Sequence, residues 1–183
     1  MDRVVAIGDV LVADDVLAVA HGRAQPVMDE GVPERMIGAR HVVKIAVDGD
    51  EGVYDVTTGF GAVTTTRVDA ALSVEIQAAL LRSHAAGVGD PLPVEMVRTI
   101  LLLRARTLAQ GHSGVRLIIV ERLLGMLRLD LLPLVFDRGS VGPSGDLAPF
   151  AHLALPIIRE GFLDEVGVTT PVAEVSADTS WSR

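Results

Sequence analysis

The chain has no cysteine among its 183 residues. That excludes disulfides, thiolate metal sites and cysteine nucleophiles together. Aromatic residues are scarce, at 3%, although 49% of the chain is apolar, so the hydrophobic material is aliphatic and alanine-rich. Either it fills a helical core, or some helices also bury faces against other chains, and the second reading is preferred because exposed apolar patches mark interfaces. Long apolar runs are missing: Ile100–Leu103 and Leu117–Val120 fall far short of a membrane span. The opening MDRVVAIGDVLVADD meets acidic residues too early for a signal peptide. A positive excess is missing too. The formal net charge is -8 and the arginines are scattered, which argues against nucleic-acid or anionic-membrane surfaces. The expectation is a cytoplasmic protein with neither kind of partner.

What is present is helical periodicity, chiefly after residue 68. Asp69 is placed to cap a helix whose face is Leu72, Ile76, Ala79 and Leu80, stopped by Gly87 and Gly89. Pro91 and Pro93 open a second helix with the stripe Val94, Val97, Leu101, Ala105 and Leu108, leaving Arg98 and Arg106 off that face. After the break Gly111-His112-Ser113-Gly114, a third helix carries Leu117, Val120, Leu124 and Leu127 and must end by Pro133. A short helix from about Asp14 to His21 starts with acidic residues at its positive dipole end, and Gly22 ends it. Val42–Val47 reads as a strand. Tyr54–Thr58 is β-branched and runs into Gly59-Phe60-Gly61, a loop-rich section. From about Gly167 the composition reads as a tail.

Most local motifs yield to ordinary readings. Asp48-Gly49-Asp50-Glu51-Gly52 lacks the ligand spacing and terminal glutamate of a calcium loop and reads as a solvated turn. His21, His41, His84, His112 and His152 are dispersed without zinc-ligand spacing, so no metal site is expected. The glycines at 59 and 61, and at 139, 142 and 145, have neither a phosphate-loop lysine nor a βαβ setting, and no nucleotide site is expected.

Four stretches taken together carry more. Tyr54-Asp55-Val56-Thr57-Thr58-Gly59-Phe60-Gly61, Arg82-Ser83-His84-Ala85-Ala86-Gly87-Val88-Gly89, Leu108–Arg116, and Gly139–Ala154 (GSVGPSGDLAPFAHLA) resemble histidine ammonia-lyase. The wider family is the aromatic amino acid ammonia-lyases and aminomutases. The resemblance runs from about Ile7 to Gly161, and its last motif is highly specific.

The resemblance implies a mainly α fold, the N-terminal part of the ammonia-lyase (fumarase/aspartase-like) architecture, over residues 1–162, with 163–183 as a tail. The family's C-terminal long-helix bundle has no counterpart in this chain. In the family an internal Ala-Ser-Gly cyclises with loss of water to a methylidene-imidazolone (MIO), to which the substrate amine adds. On that pattern Ser144 supplies the methylidene, Gly145 the ring-closing nitrogen and Pro143 the carbonyl carbon. Tyr54 is the general base, Gly61 leaves room for substrate, and His84 occupies the selector position of the histidine-specific branch. A phenol with an ordinary pKa of about 10 needs a site that stabilises phenolate.

The departures from the family pattern are Pro143 for alanine, Thr57 for asparagine, Asp55 for glycine and Arg106 for asparagine. Proline fixes φ and restricts Gly142, which opposes the compressed geometry of cyclisation. A carboxylate at Asp55 opposes phenolate if it points inward. The leading expectation is one part of an ammonia-eliminating lyase acting on an amino-acid-like substrate. A second chain, further copies of this one, or both would complete its site. The alternative is a homologue without the ring, either a ring-free elimination subunit or a non-catalytic binding or regulatory one.

Overall fold

In the computed structural model, residues 3–49, 53, 70–165 and 168–175 are described, with the side chains of 70–74 and 165 left aside. The elements in order are β1 (Val4–Ala6), α1 (Ala13–Ala20), β2 (Gln25–Val27), α2 (Gly31–Asp48), α3 (Ala70–His84), β3 (Val88–Pro91) and α4 (Val94–Ala109). There follow α5 (Leu117–Leu129), β4 (Leu132–Pro133), β5 (Phe136–Arg138), α6 (Leu147–Ala154), β6 (Phe162–Glu165) and β7 (Val168–Pro171). Helices dominate, as the periodicity predicts.

The core forms where α4 packs on α1 and α5. The apolar stripe of α4 delivers Val97, Leu101, Ala105 and Leu108, and α5 delivers Val120, Leu123, Leu124 and Leu127, all buried. Each fully buried leucine contributes about 1.5–3 kcal/mol of transfer free energy. Asp15 anchors the start of α1: its Oδ1 accepts from Arg3 at 2.7 Å and its Oδ2 from the Val12 amide at 3.3 Å.

Arg98 departs from expectation. It is not off the buried face but 6% exposed. Its Nε donates to the Val19 carbonyl at 2.9 Å, and its Nη1 donates to the Leu127 carbonyl at 3.4 Å and to Asp130 Oδ1 at 2.5 Å. Those carbonyls lie in the last turns of α1 and α5, where helical acceptors lack intrahelical partners and the dipole is negative. One guanidinium therefore bridges two helix ends, joining the Gly22 amide on the Val19 carbonyl, and periodicity counted from apolar residues alone misses it.

The strand expected at Val42–Val47 is instead the C-terminal part of the 18-residue helix α2. Pro33 sits in the first turn, where no amide hydrogen is required. Val32 and Met36, one helical turn apart, anchor the helix in the core. Its outer length is held by the break between α4 and α5: Arg40 donates to the Gly114 carbonyl at 3.3 Å. A Cβ on Gly114 would lie 2.2 Å from Val43 Cγ2, so glycine there lets the break approach α2. The Val-Val-Lys-Ile-Ala-Val run continues the helix in spite of its β-propensity, although Val42, Ile45 and Val47 are exposed.

The sheets are small. β1 and β2 pair in parallel, β3 and β5 pair antiparallel with an irregular register between Val88 and Pro91, and β4-β6-β7 form an antiparallel sheet. Residues read as a tail are folded in part: β7 pairs with β6 from Phe162↔Pro171 to Glu165↔Val168. Val172 packs with Leu131 and Leu163 in a second small core. Among the described residues no helix is long and apolar enough to cross a membrane.

Candidate functional site

The segment Gly139–Asp146 leaves β5 and enters α6. Its local shape follows from its glycines. Gly139, Gly142 and Gly145 have φ of +127°, +91° and +69°, a region closed to most side chains and open to glycine. Pro143 and Ser144 between them are exposed. Two side chains fasten the turn to itself: Ser140 Oγ donates to the Gly145 carbonyl, and Ser144 Oγ donates to Asp146 Oδ1 at 2.5 Å. A carboxylate accepting from a serine hydroxyl fixes the orientation of that oxygen.

A second segment reaches this turn from α3. That helix packs on α6, and its last residue is His84. His84 Nδ1 lies 3.0 Å from the Leu80 carbonyl and 3.1 Å from Ser83 Oγ. Bonding to a carbonyl puts the proton on Nδ1 and makes Nε2 the acceptor of the neutral ring. Just beyond, Gly87 passes so close to Gly139 that a Cβ on Gly139 would stand 2.9 Å from Gly87 Cα. The Arg82–Glu160 pair ties α3 to the segment that follows α6, with bonds of 2.8 and 2.6 Å. Their mutual hydrogen bond holds the Glu160 carboxyl below its ordinary range and raises Arg82.

The structure thus brings the chain just after the His84 helix end against Gly139, where the segment carrying Pro143-Ser144-Gly145 begins. Tyr54 and Gly61 lie outside the described residues, as do Asp55 and Thr57. One residue at this site escaped the sequence reading. His152, on α6, accepts a hydrogen bond from the Gly87 amide at Nε2, 3.0 Å away, and meets the Phe136 ring edge-on at 5.2 Å. Burial depresses its pKa. The available signal was its place inside the Gly139–Ala154 motif, but a lone histidine on an apolar helix reads first as core. On the same helix, Arg104 of α4 lies over the Phe150 ring at 4.7 Å.

A sequence model described as aromatic amino acid lyase matches residues 11–183. The chain belongs to the aromatic amino acid lyase family. The histidine ammonia-lyase of Deinococcus radiodurans is 46% identical over 167 residues, covering 91% of this chain and 32% of that relative. Among solved structures, a tyrosine aminomutase from Streptomyces globisporus superposes with a TM-score of 0.85 at 35% identity, covering 93% of this chain and 32% of the other. Histidine ammonia-lyase from Trypanosoma cruzi gives 0.84 at 32% identity, with coverage of 94% and 34%. The fold is therefore the mainly α, N-terminal part of the ammonia-lyase architecture. The chain spans about a third of the length of the curated relatives it matches.

Proposed function

We propose that this chain forms one part of a histidine ammonia-lyase-like enzyme that eliminates ammonia from an amino acid. The rest of the site comes from the remaining two thirds of the family architecture, on the same polypeptide or on a second chain, in an oligomer. The observation that carries this reading is the turn itself. Ser144 is hydrogen-bonded to Asp146 between two left-handed glycines, in a segment whose first residue, Gly139, touches the chain following His84.

The residues present fit the methylidene-imidazolone. Ser144 has a hydroxyl that can leave as water with its Cα hydrogen, held in place by Asp146, and Gly145 has no side chain to obstruct its amide nitrogen. Pro143 contributes only a carbonyl, so its missing N–H does not matter. That ring, once formed, supplies an electrophile that turns the substrate amine into a better leaving group. This chain's other residues do the remaining work. Tyr54, on the family pattern, takes the β-proton as general base. Gly61 leaves space for the substrate, and His84, with Nε2 as an acceptor in its neutral form, selects a ring that can donate a hydrogen bond. Exposed apolar side chains on α2, among them Ile37, Val42 and Ile45, offer surface to the missing helices.

The deciding measurement is the mass of the peptide spanning Gly139–Leu155 from the native assembly. A deficit of two waters is expected. An unmodified mass means that Pro143 blocks cyclisation and leaves ring-free elimination or a non-catalytic role. Tyr54→Phe should lower turnover about 10²–10⁴-fold, the range for a general base. Undiminished turnover removes Tyr54 from the mechanism.

A further inference from the structure

The contact between Gly87 and Gly139 has a dedicated holder. His152 lies in the last turn of α6, while Gly87 follows α3, and the bond between them joins residues 65 positions apart. The imidazole is boxed in. Phe136 stands edge-on to it, and a Cβ on Gly87 would come within 2.9 Å of its Nε2. Gly87 in turn sits against Gly139, the first residue of the Gly139–Asp146 turn. His152 thus reaches the turn from both ends, through α6 by the chain and through Gly87 by the hydrogen bond.

We propose that His152 is a positioning residue: in its neutral form it holds the Gly87 backbone against Gly139 and so fixes the His84 helix end relative to Pro143-Ser144-Gly145. The catalytic consequence rests on the proposed lyase reading; the structural one does not. Only a lone pair on Nε2 can accept from the Gly87 amide, so the proton of the neutral ring is on Nδ1. A second proton would set two donors against each other.

Burial lowers the His152 pKa from its ordinary 6.5. Charged and titratable groups on the elements around α6 are Glu75, Arg82 and His84 on α3, Asp90 on β3, Glu95, Arg98, Arg104 and Arg106 on α4, and Asp137 and Arg138 on β5. Arg159 and Glu160 follow the helix, and Asp146 precedes it. A depressed base binds fewer protons folded than unfolded. Its contribution is therefore complete above about pH 6.5 and is lost as the pH falls through the depressed folded value.

The test is hydrogen exchange at the Gly87 amide, corrected for intrinsic rate, in the native assembly of the wild type, His152→Ala and His152→Gln. In His152→Ala, loss of one hydrogen bond should speed exchange about five- to tenfold at neutral pH. In the wild type, protection should fall away below pH 6.5. His152→Gln, whose amide oxygen accepts but does not titrate, should retain protection across that range. The peptide mass of Gly139–Leu155 is read on the same samples. An unmodified wild-type mass counts against the ring and leaves the exchange result standing. Unchanged exchange in His152→Ala, or a pH dependence in His152→Gln equal to the wild type's, overturns the proposal. Should His152→Ala not fold, the contrast between His152→Gln and wild type decides alone.

Discussion

Two regions of this molecule are built on opposite principles. Where α1, α4 and α5 meet, side chains do the specifying: aliphatic residues fill the space, and one buried arginine bridges two helix ends. Around Gly87 and Gly139–Asp146, the backbone does it. Glycines occupy conformations or approaches that other residues resist, and short polar side chains tie the turn to itself. The first region resists change through volume, the second through backbone geometry. The cyclisation proposed for Pro143-Ser144-Gly145 belongs in the second, since a reaction of the backbone needs peptide groups that side chains do not cover.

Substitutions can break that contrast. The largest stability effect is expected in the core. Leu101→Ala, at a fully buried site, should cost about 2–5 kcal/mol, read by denaturant unfolding. Arg98→Ala should cost about 2–3 kcal/mol, because the bonds to two helix-end carbonyls and Asp130 are lost together. Asp130 itself is 65% exposed and rehydrates, which keeps the cost below that of stranding a buried charge.

In the glycine region, Gly139→Ala should cost about 1–3 kcal/mol of backbone strain. It should also disturb the Ser144 turn out of proportion, seen as incomplete water loss in the Gly139–Leu155 peptide. A core-sized stability loss with an intact turn would erase the distinction between the two regions. The smallest effect is expected from Glu160→Gln. The Glu160 carboxyl is held below its ordinary 4.5 mainly by its hydrogen bond to Arg82. Its contribution is complete above about pH 4.5 and disappears as the pH falls through the lower folded value. The variant should flatten the acid limb of the stability curve, and added salt should shrink the difference.

Legibility followed the same division. Helices α1, α3, α4 and α5 could be read because their apolar spacing and their glycine and proline boundaries agree. α2 could not, because β-branched residues dominate its C-terminal part and the partner that packs on it, the Gly114 break, is 71 positions beyond Val43. Arg98 was invisible as a core residue because two of its three partners are backbone carbonyls, which carry no residue identity. His152 was invisible for a related reason: it accepts from a peptide N–H that any residue but proline supplies.

The sequence by itself determined the helical class and the family, because both are written in local residue types and their spacing. Only the tertiary structure decided that β3 pairs with β5, that part of the apparent tail completes a sheet, and that Gly87 is pinned between Gly139 and His152. Those arrangements depend on backbone groups meeting across long stretches of chain. Backbone groups are the same at almost every position, so their pairing leaves no mark in the order of the residues.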